Sequence, residues 1–196
     1  MPSRSFAVWF GLAALLATID VAQAKLDERQ QMLSGGAPRG RSYNLFGFTG
    51  SELSRTRVSF AGNYKPGTIV INTAERRLYL VQDSSTALRY AVGVGRVGLT
   101  WKGVRTVTEK KEWPGWTPPP QMHARVRGLP AHMPGGIDNP LGARALYLGG
   151  TLYRIHGSND PDTIGQPVSS GCFRLTNDDI KDLYERVAVG TTVVVQ

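Results

Sequence analysis

Residues 67–94 read Gly67-Thr-Ile-Val-Ile-Asn72-Thr-Ala-Glu-Arg-Arg77-Leu-Tyr-Leu-Val81-Gln-Asp-Ser-Ser-Thr-Ala-Leu-Arg89-Tyr-Ala-Val-Gly-Val94. Three short runs within it, 68–72, 77–81 and 89–94, are rich in β-branched and aromatic residues and are parted by turn-like segments. Such side chains fit a pleated, half-buried surface, and the short spacing predicts an antiparallel meander. Further strands are expected at 103–108, at 145–148 and 151–156 joined by the hairpin signal Gly149-Gly150, and at 191–195. One helix is expected at about 177–188. Thr176-Asn-Asp-Asp179 supplies a cap and an acidic first turn, Ile180, Leu183, Tyr184 and Val187 recur at i, i+3, i+4 and i+7, and Gly190 follows. The fold class is mainly β with that one helix.

Outside these elements the chain changes character. Residues 113–136 are Pro- and Gly-rich and too long for a plain connection, which suggests a lid or binding loop. Residues 25–66 are polar and turn-rich and are expected to form a linker or loosely ordered arm before a folded domain at 67–196. Residues 1–24 carry Arg4, the apolar run Phe6–Ala17 and Ala22-Gln23-Ala24, the pattern of a cleavable secretory signal. Twelve apolar residues fall short of the roughly 18–20 that span a bilayer, so stable membrane insertion is not expected.

Lys and Arg number 23 against 15 Asp and Glu, a net charge of +8. That excess favours polyanionic surfaces. Nucleic-acid binding is not expected, because no basic cluster is interleaved with aromatics, and Arg76-Arg77 and Lys110-Lys111 look like solvated strand-end charges. There is one cysteine in 196 residues, which excludes an intramolecular disulfide and a thiolate metal site. No metal or cofactor is expected. An exported chain with one unpaired thiol points instead to intermolecular pairing or to a reactive group.

Cys172 lies in Val168-Ser-Ser-Gly-Cys-Phe-Arg-Leu175, just before the capped helix. The helix dipole and Arg174 are expected to lower the thiol pKa, and the amides of Gly171 and Cys172 are expected to face a developing oxyanion. Of the three His, His123 and His132 fall in the long loop and are expected to be exposed, whereas His156 ends a strand and is followed by Gly157. Nucleophile, base, oxyanion donors and a cation thus occur in one short segment.

Ile155-His156-Gly157-Ser158-Asn159, Ser169-Ser170-Gly171-Cys172-Phe173-Arg174-Leu175 and the trailing Asp182–Val187 with Gly190-Thr191 resemble the L,D-transpeptidase catalytic domain family, of YkuD type. Asn139-Pro140-Leu141-Gly142 and Trp116-Thr-Pro-Pro119 resemble its periplasmic Gram-negative branch. The resemblance implies a β-sandwich-like domain in the periplasm that acts on peptidoglycan stem peptides. Cys172 would form a thioester with the stem-peptide diamino acid and release D-Ala, with His156 as general base and acid and the Gly157 carbonyl orienting the imidazole. Ser169, Ser170, Gly171 and Arg174 would shape the oxyanion and substrate pocket; Ser170 stands where many members carry His. The acceptor would be an amine of another stem peptide, or of an outer-membrane protein anchored to the wall. Water as acceptor would give an L,D-carboxypeptidase. A sortase would need a wider His–Cys separation, an NlpC/P60 peptidase the reverse order, and a non-catalytic wall-binding protein would leave the thiol inert.

Overall fold

The structure, a computed structural model, describes residues 53–124 and 126–196, all within the compact unit Ser42–Gln196. The expected leader at 1–24 and residues 25–52 of the arm expected at 25–66 lie outside the described residues. Eleven strands are present: β1 (Thr56–Ser59), β2 (Ile69–Asn72), β3 (Arg77–Val81), β4 (Thr86–Ala91), β5 (Val94–Gly95), β6 (Gly103–Glu112), β7 (Arg144–Leu148), β8 (Arg154–His156), β9 (Pro167–Ser169), β10 (Phe173–Arg174) and β11 (Thr192–Val195). A single helical turn, α1 (Pro120–His123), lies in the long loop, and the one long helix is α2 (Asn177–Arg186).

Nine strands form one mixed sheet in the order β1-β4-β3-β2-β11-β6-β7-β8-β10, and β5 pairs with β9. The meander is observed as expected, with β2, β3 and β4 antiparallel. The last strand, β11, inserts between β2, to which it is parallel, and β6, to which it is antiparallel. Strand β6 is shared by two ladders: its first residues pair with β11, and after a register shift between Val107 and Glu109 its remainder pairs with β7. The layers expected of a sandwich-like domain are therefore continuous through β6. Inward residues of both ladders, including Ile69, Leu78, Tyr90, Leu146, Ile155 and Phe173, meet Ile180 and Leu183 of α2 in one hydrophobic cluster. Alternation along the strands and the helical period supply this single core.

Several boundaries move for local reasons. Strand β1 lies inside the expected arm, where its Thr56–Ser59 backbone pairs with β4 and Arg55 Nη1 meets Asp179 Oδ1 at 3.2 Å; the turn-rich composition hid a short edge strand. The run 89–94 divides, because Gly93 leaves the meander and exchanges both backbone hydrogen bonds with Arg174, at 2.8 and 2.9 Å. The strand expected from residue 151 begins only at Arg154. Thr151 Oγ1 donates to the Leu148 carbonyl at 2.7 Å and accepts from the Tyr153 N–H at 3.0 Å, a turn that competes with the ladder.

Helix α2 is capped at both ends. Thr176 Oγ1 accepts from the Asp179 N–H at 3.1 Å, as its position predicts. At the other end Lys110 Nζ donates to the carbonyls of Tyr184 and Val187 at 2.6 and 2.7 Å and sits 4.1 Å from the Tyr184 ring centroid. Lys110 is therefore not a solvated strand-end charge: it satisfies carbonyls that the helix itself leaves open. Its neighbour Lys111 points the other way and pairs with Glu109 at 2.9 Å on the surface. Lys110→Met is expected to cost about 1–3 kcal/mol in urea unfolding, the range for hydrogen bonds to a charged group. Lys111→Met should change stability by less than about 0.5 kcal/mol.

Candidate active site

Strands β8 and β10 are parallel, with Ile155 opposite Phe173 and His156 opposite Arg174. Ile155 and Phe173 are fully buried in the core. Since successive strand residues point to opposite faces, Arg154, His156 and Arg174 share the other face, and Cys172, one step before β10, joins them. His156 and Cys172, sixteen positions apart in sequence, are thus placed by the strand register on one face of neighbouring segments.

The imidazole of His156 is buried, and its Nδ1 lies 2.6 Å from the Gly157 carbonyl. A carbonyl only accepts, so Nδ1 carries the proton and Nε2 presents a lone pair. Gly157 is required sterically: a β-carbon there would overlap Asn177 Oδ1, which accepts from the Ala143 N–H at 2.9 Å. The first residue of α2 thereby sets the spacing between the His-Gly turn and the segment leading into β7.

The loop carrying Cys172 is held from both sides. Ser169 Oγ, almost fully buried, donates to the Cys172 carbonyl at 2.6 Å and accepts from the Gly171 N–H at 3.1 Å. Trp101 Nε1 donates to the Gly171 carbonyl at 3.1 Å, and the Trp101 ring stacks on Tyr153 with centroids 4.9 Å apart. Gly171 has φ +112°, and a β-carbon would lie 2.5 Å from Tyr153 Cε1, so both backbone and packing demand glycine. Ser170 is exposed on the loop, and Cys172 is half-buried, with Sγ 3.9 Å from the Leu152 carbonyl.

Two expectations change. Burial raises the Cys172 thiol above the ordinary cysteine range; Arg154 and then Arg174 offset this only in part, so desolvation outweighs the cations. Burial, then Arg174 and Arg154, push His156 down to about 3, against the Gly157 hydrogen bond that favours its charged form. Burial thus favours the uncharged form of both groups. In addition, the Gly171 N–H is engaged by Ser169, whereas among the described residues no backbone acceptor meets the Cys172 N–H.

Sequence reasoning missed Arg154, Trp101, Tyr153 and Asn177. Arg154 was accessible by strand alternation, lying two residues before His156; the others had no local signal. His123 and His132 are exposed in the long loop as expected, His132 Nδ1 lying 3.0 Å from Thr117 Oγ1. That loop is not loose. Trp116 and Met133 exchange backbone hydrogen bonds at 2.8 and 2.7 Å, and buried Asn139 Nδ2 donates to the carbonyls of Met133 and Pro134.

Residues 66–195 match the YkuD family model, the L,D-transpeptidase catalytic domain. The chain belongs to that family. It is 47% identical over 134 residues to "Probable L,D-transpeptidase YbiS" of Escherichia coli K12, the alignment covering 64% of this chain and 43% of that protein. It is 46% identical over 154 residues to "Probable L,D-transpeptidase ErfK/SrfK" of the same strain, covering 74% and 49%. The chain spans about half the length of these curated relatives. The crystal structure of L,D-transpeptidase 3 from Mycobacterium tuberculosis has the same fold, with a TM-score of 0.52 at 17% identity, covering 66% of this chain and 60% of that one.

Iodoacetamide modification of Cys172 in the free protein is expected to accelerate only above the ordinary cysteine range. A rate plateau across about pH 5–8 would instead reveal a preformed thiolate–imidazolium pair. Stability is expected to fall as pH drops from 6.5 toward about 3, because the unfolded chain takes up a proton that buried His156 refuses. In His156→Gln that part of the pH dependence should vanish from chemical-denaturation curves.

Proposed function

We propose that this domain is a peptidoglycan L,D-transpeptidase in which Cys172 is the nucleophile and His156 the general base and acid. The observation that supports it most directly is the His156 tautomer. With Nδ1–H engaged by the Gly157 carbonyl at 2.6 Å, Nε2 is left to take a proton on the sheet face that carries Cys172. The relatives named as L,D-transpeptidases point to the same chemistry.

The thiol passes its proton to His156 Nε2 as Sγ bonds to the carbonyl carbon at the L-centre of the diamino acid in a stem tetrapeptide. The Cys172 N–H stabilises the oxyanion, the Gly171 N–H being occupied. Collapse breaks the C–N bond, His156 returns the proton to the departing amine, and D-Ala leaves a thioester on Cys172. An acceptor amine then loses its proton to His156, bonds to the carbonyl and expels the thiolate, which is reprotonated. Ser169 holds the Cys172 carbonyl and thus the loop, Ser170 faces the substrate, and Arg174 attracts a substrate carboxylate. The acceptor is the side-chain amine of a second stem peptide or a lysine of a wall-anchored outer-membrane protein; water would give carboxypeptidase activity. The leader pattern at 1–24 supports action in the periplasm.

Intact mass spectrometry with a tetrapeptide stem tests this. The wild type is expected to gain a thioester adduct and release D-Ala. Cys172→Ala should gain none, and His156→Ala should remain folded while its acylation rate falls by about a hundredfold or more. An unchanged adduct on Cys172→Ala would refute the assignment.

A further inference from the structure

Arg154 and Arg174 flank the proposed reacting pair, and among the described residues neither meets a counter-charge. Among the described residues, Arg55, Lys111, Arg144 and Arg186 each pair with a carboxylate, and neither Arg154 nor Arg174 does. The Nε atoms of both are buried without a hydrogen-bond partner. Arg144 Nε is also unpartnered, but its terminal nitrogens are engaged by Glu112 at 3.0 Å and by the Ala143 carbonyl at 2.9 Å. Among the described residues Arg154 meets the Leu152 carbonyl, 3.3 Å from Nη1, the Tyr147 ring, 5.0 Å away, and the Cys172 thiol itself, but no carboxylate. Half-buried guanidinium groups left in this state want an acceptor from outside the protein.

Their position says which acceptor. Arg154 Nη1 and Cys172 Sγ converge on one carbonyl, that of Leu152, at 3.3 and 3.9 Å, so the guanidinium borders the nucleophile. Arg174 is the ladder partner of His156. The amine expelled from the acyl carbon must lie within reach of His156 Nε2. In an amino-acid leaving group the carboxylate carbon is about 2.5 Å from that amine nitrogen, across a single Cα. The leaving residue's carboxylate must therefore fall near Arg154, His156 and Arg174: His156 is about 5 Å across the ladder from Arg174 and about 7 Å along the strand from Arg154, and the two arginines are diagonal neighbours about 8 Å apart.

We propose that Arg154 and Arg174 together hold the terminal carboxylate of the leaving D-amino acid, and that Arg154 makes the enzyme select donors ending in a free carboxylate over amidated ones. This rests on the acyl-transfer reading above. The same contact serves the chemistry: a carboxylate between the two guanidinium groups offsets the arginine charges that, after burial, oppose protonation of His156.

The test compares two tetrapeptide stems that differ only in ending with a carboxylate or a carboxamide, with acylation rates read by intact mass spectrometry and folding by thermal melting. Wild type is expected to react with the carboxylate donor about tenfold to a hundredfold faster, as suits a charge-assisted contact. Arg154→Gln should lose rate on the carboxylate donor alone, bringing the ratio close to one. Arg154→Lys, which keeps the charge without the planar fork, should restore part of the preference and serves if the glutamine variant melts early. Equal wild-type rates on both donors, or an Arg154→Gln variant slowed alike on both, would overturn the proposal and leave Arg154 a structural residue. No thioester on wild type with either donor would instead refute the transpeptidase reading, and the arginine pair with it.

Discussion

Between β8 and β10 the backbone makes two parallel ladder pairs, Ile155 with Phe173 and His156 with Arg174, and the rest of the site is built on that register. The apolar pair closes the core. The polar pair, with Arg154 before it and Cys172 next in line, forms the face that carries the candidate site. A slip of one residue would send Phe173 outward and Arg174 into the cluster around Leu146 and Ile180, so burial of two large side chains is what holds the chemistry in place. The flanking contacts serve this alignment. Gly93 pairs with Arg174 on the far edge, Leu175 N–H reaches the His156 carbonyl at 2.9 Å, and Ser169 and Trp101 clamp the loop that delivers the thiol.

The electrostatics of that face run against the simple expectation for a cysteine near a helix start. Desolvation dominates both partners, keeping proton on sulfur and charge off the imidazole, while two arginines stand close without a carboxylate. Such an arrangement favours the ionic pair only when something negative enters.

Much of the fold was legible locally. The meander residues 68–81, the hairpin at Gly149-Gly150 and helix α2 with its Thr176 cap all follow from periodicity and turn chemistry, which act over a few residues. Strand β1 was hidden because an edge strand of four residues pairs on one side only and needs no apolar run. Lys110 was misread because its partners, the carbonyls of Tyr184 and Val187, are more than seventy residues away. At the site, Cys172 and His156 stood out by type and spacing, and Gly157 and Ser169 through the family resemblance. Arg154 did not, since an arginine on a strand ordinarily means a solvated face.

The sequence by itself determined the residue types that acyl transfer needs, the alternation that puts His156 and Arg154 on one face of a strand, and membership of a family through the segment from Ile155 to Leu175. Only the tertiary structure decided the direction in which burial shifts each group, which Gly171 contact is already occupied, and that among the described residues neither Arg154 nor Arg174 meets a carboxylate. These depend on what is packed around each group, and burial is a sum over neighbours drawn from distant parts of the chain, Trp101, Ala143, Tyr153 and Asn177 among them. A strand pattern says which way a side chain points; solvation is decided by what covers it.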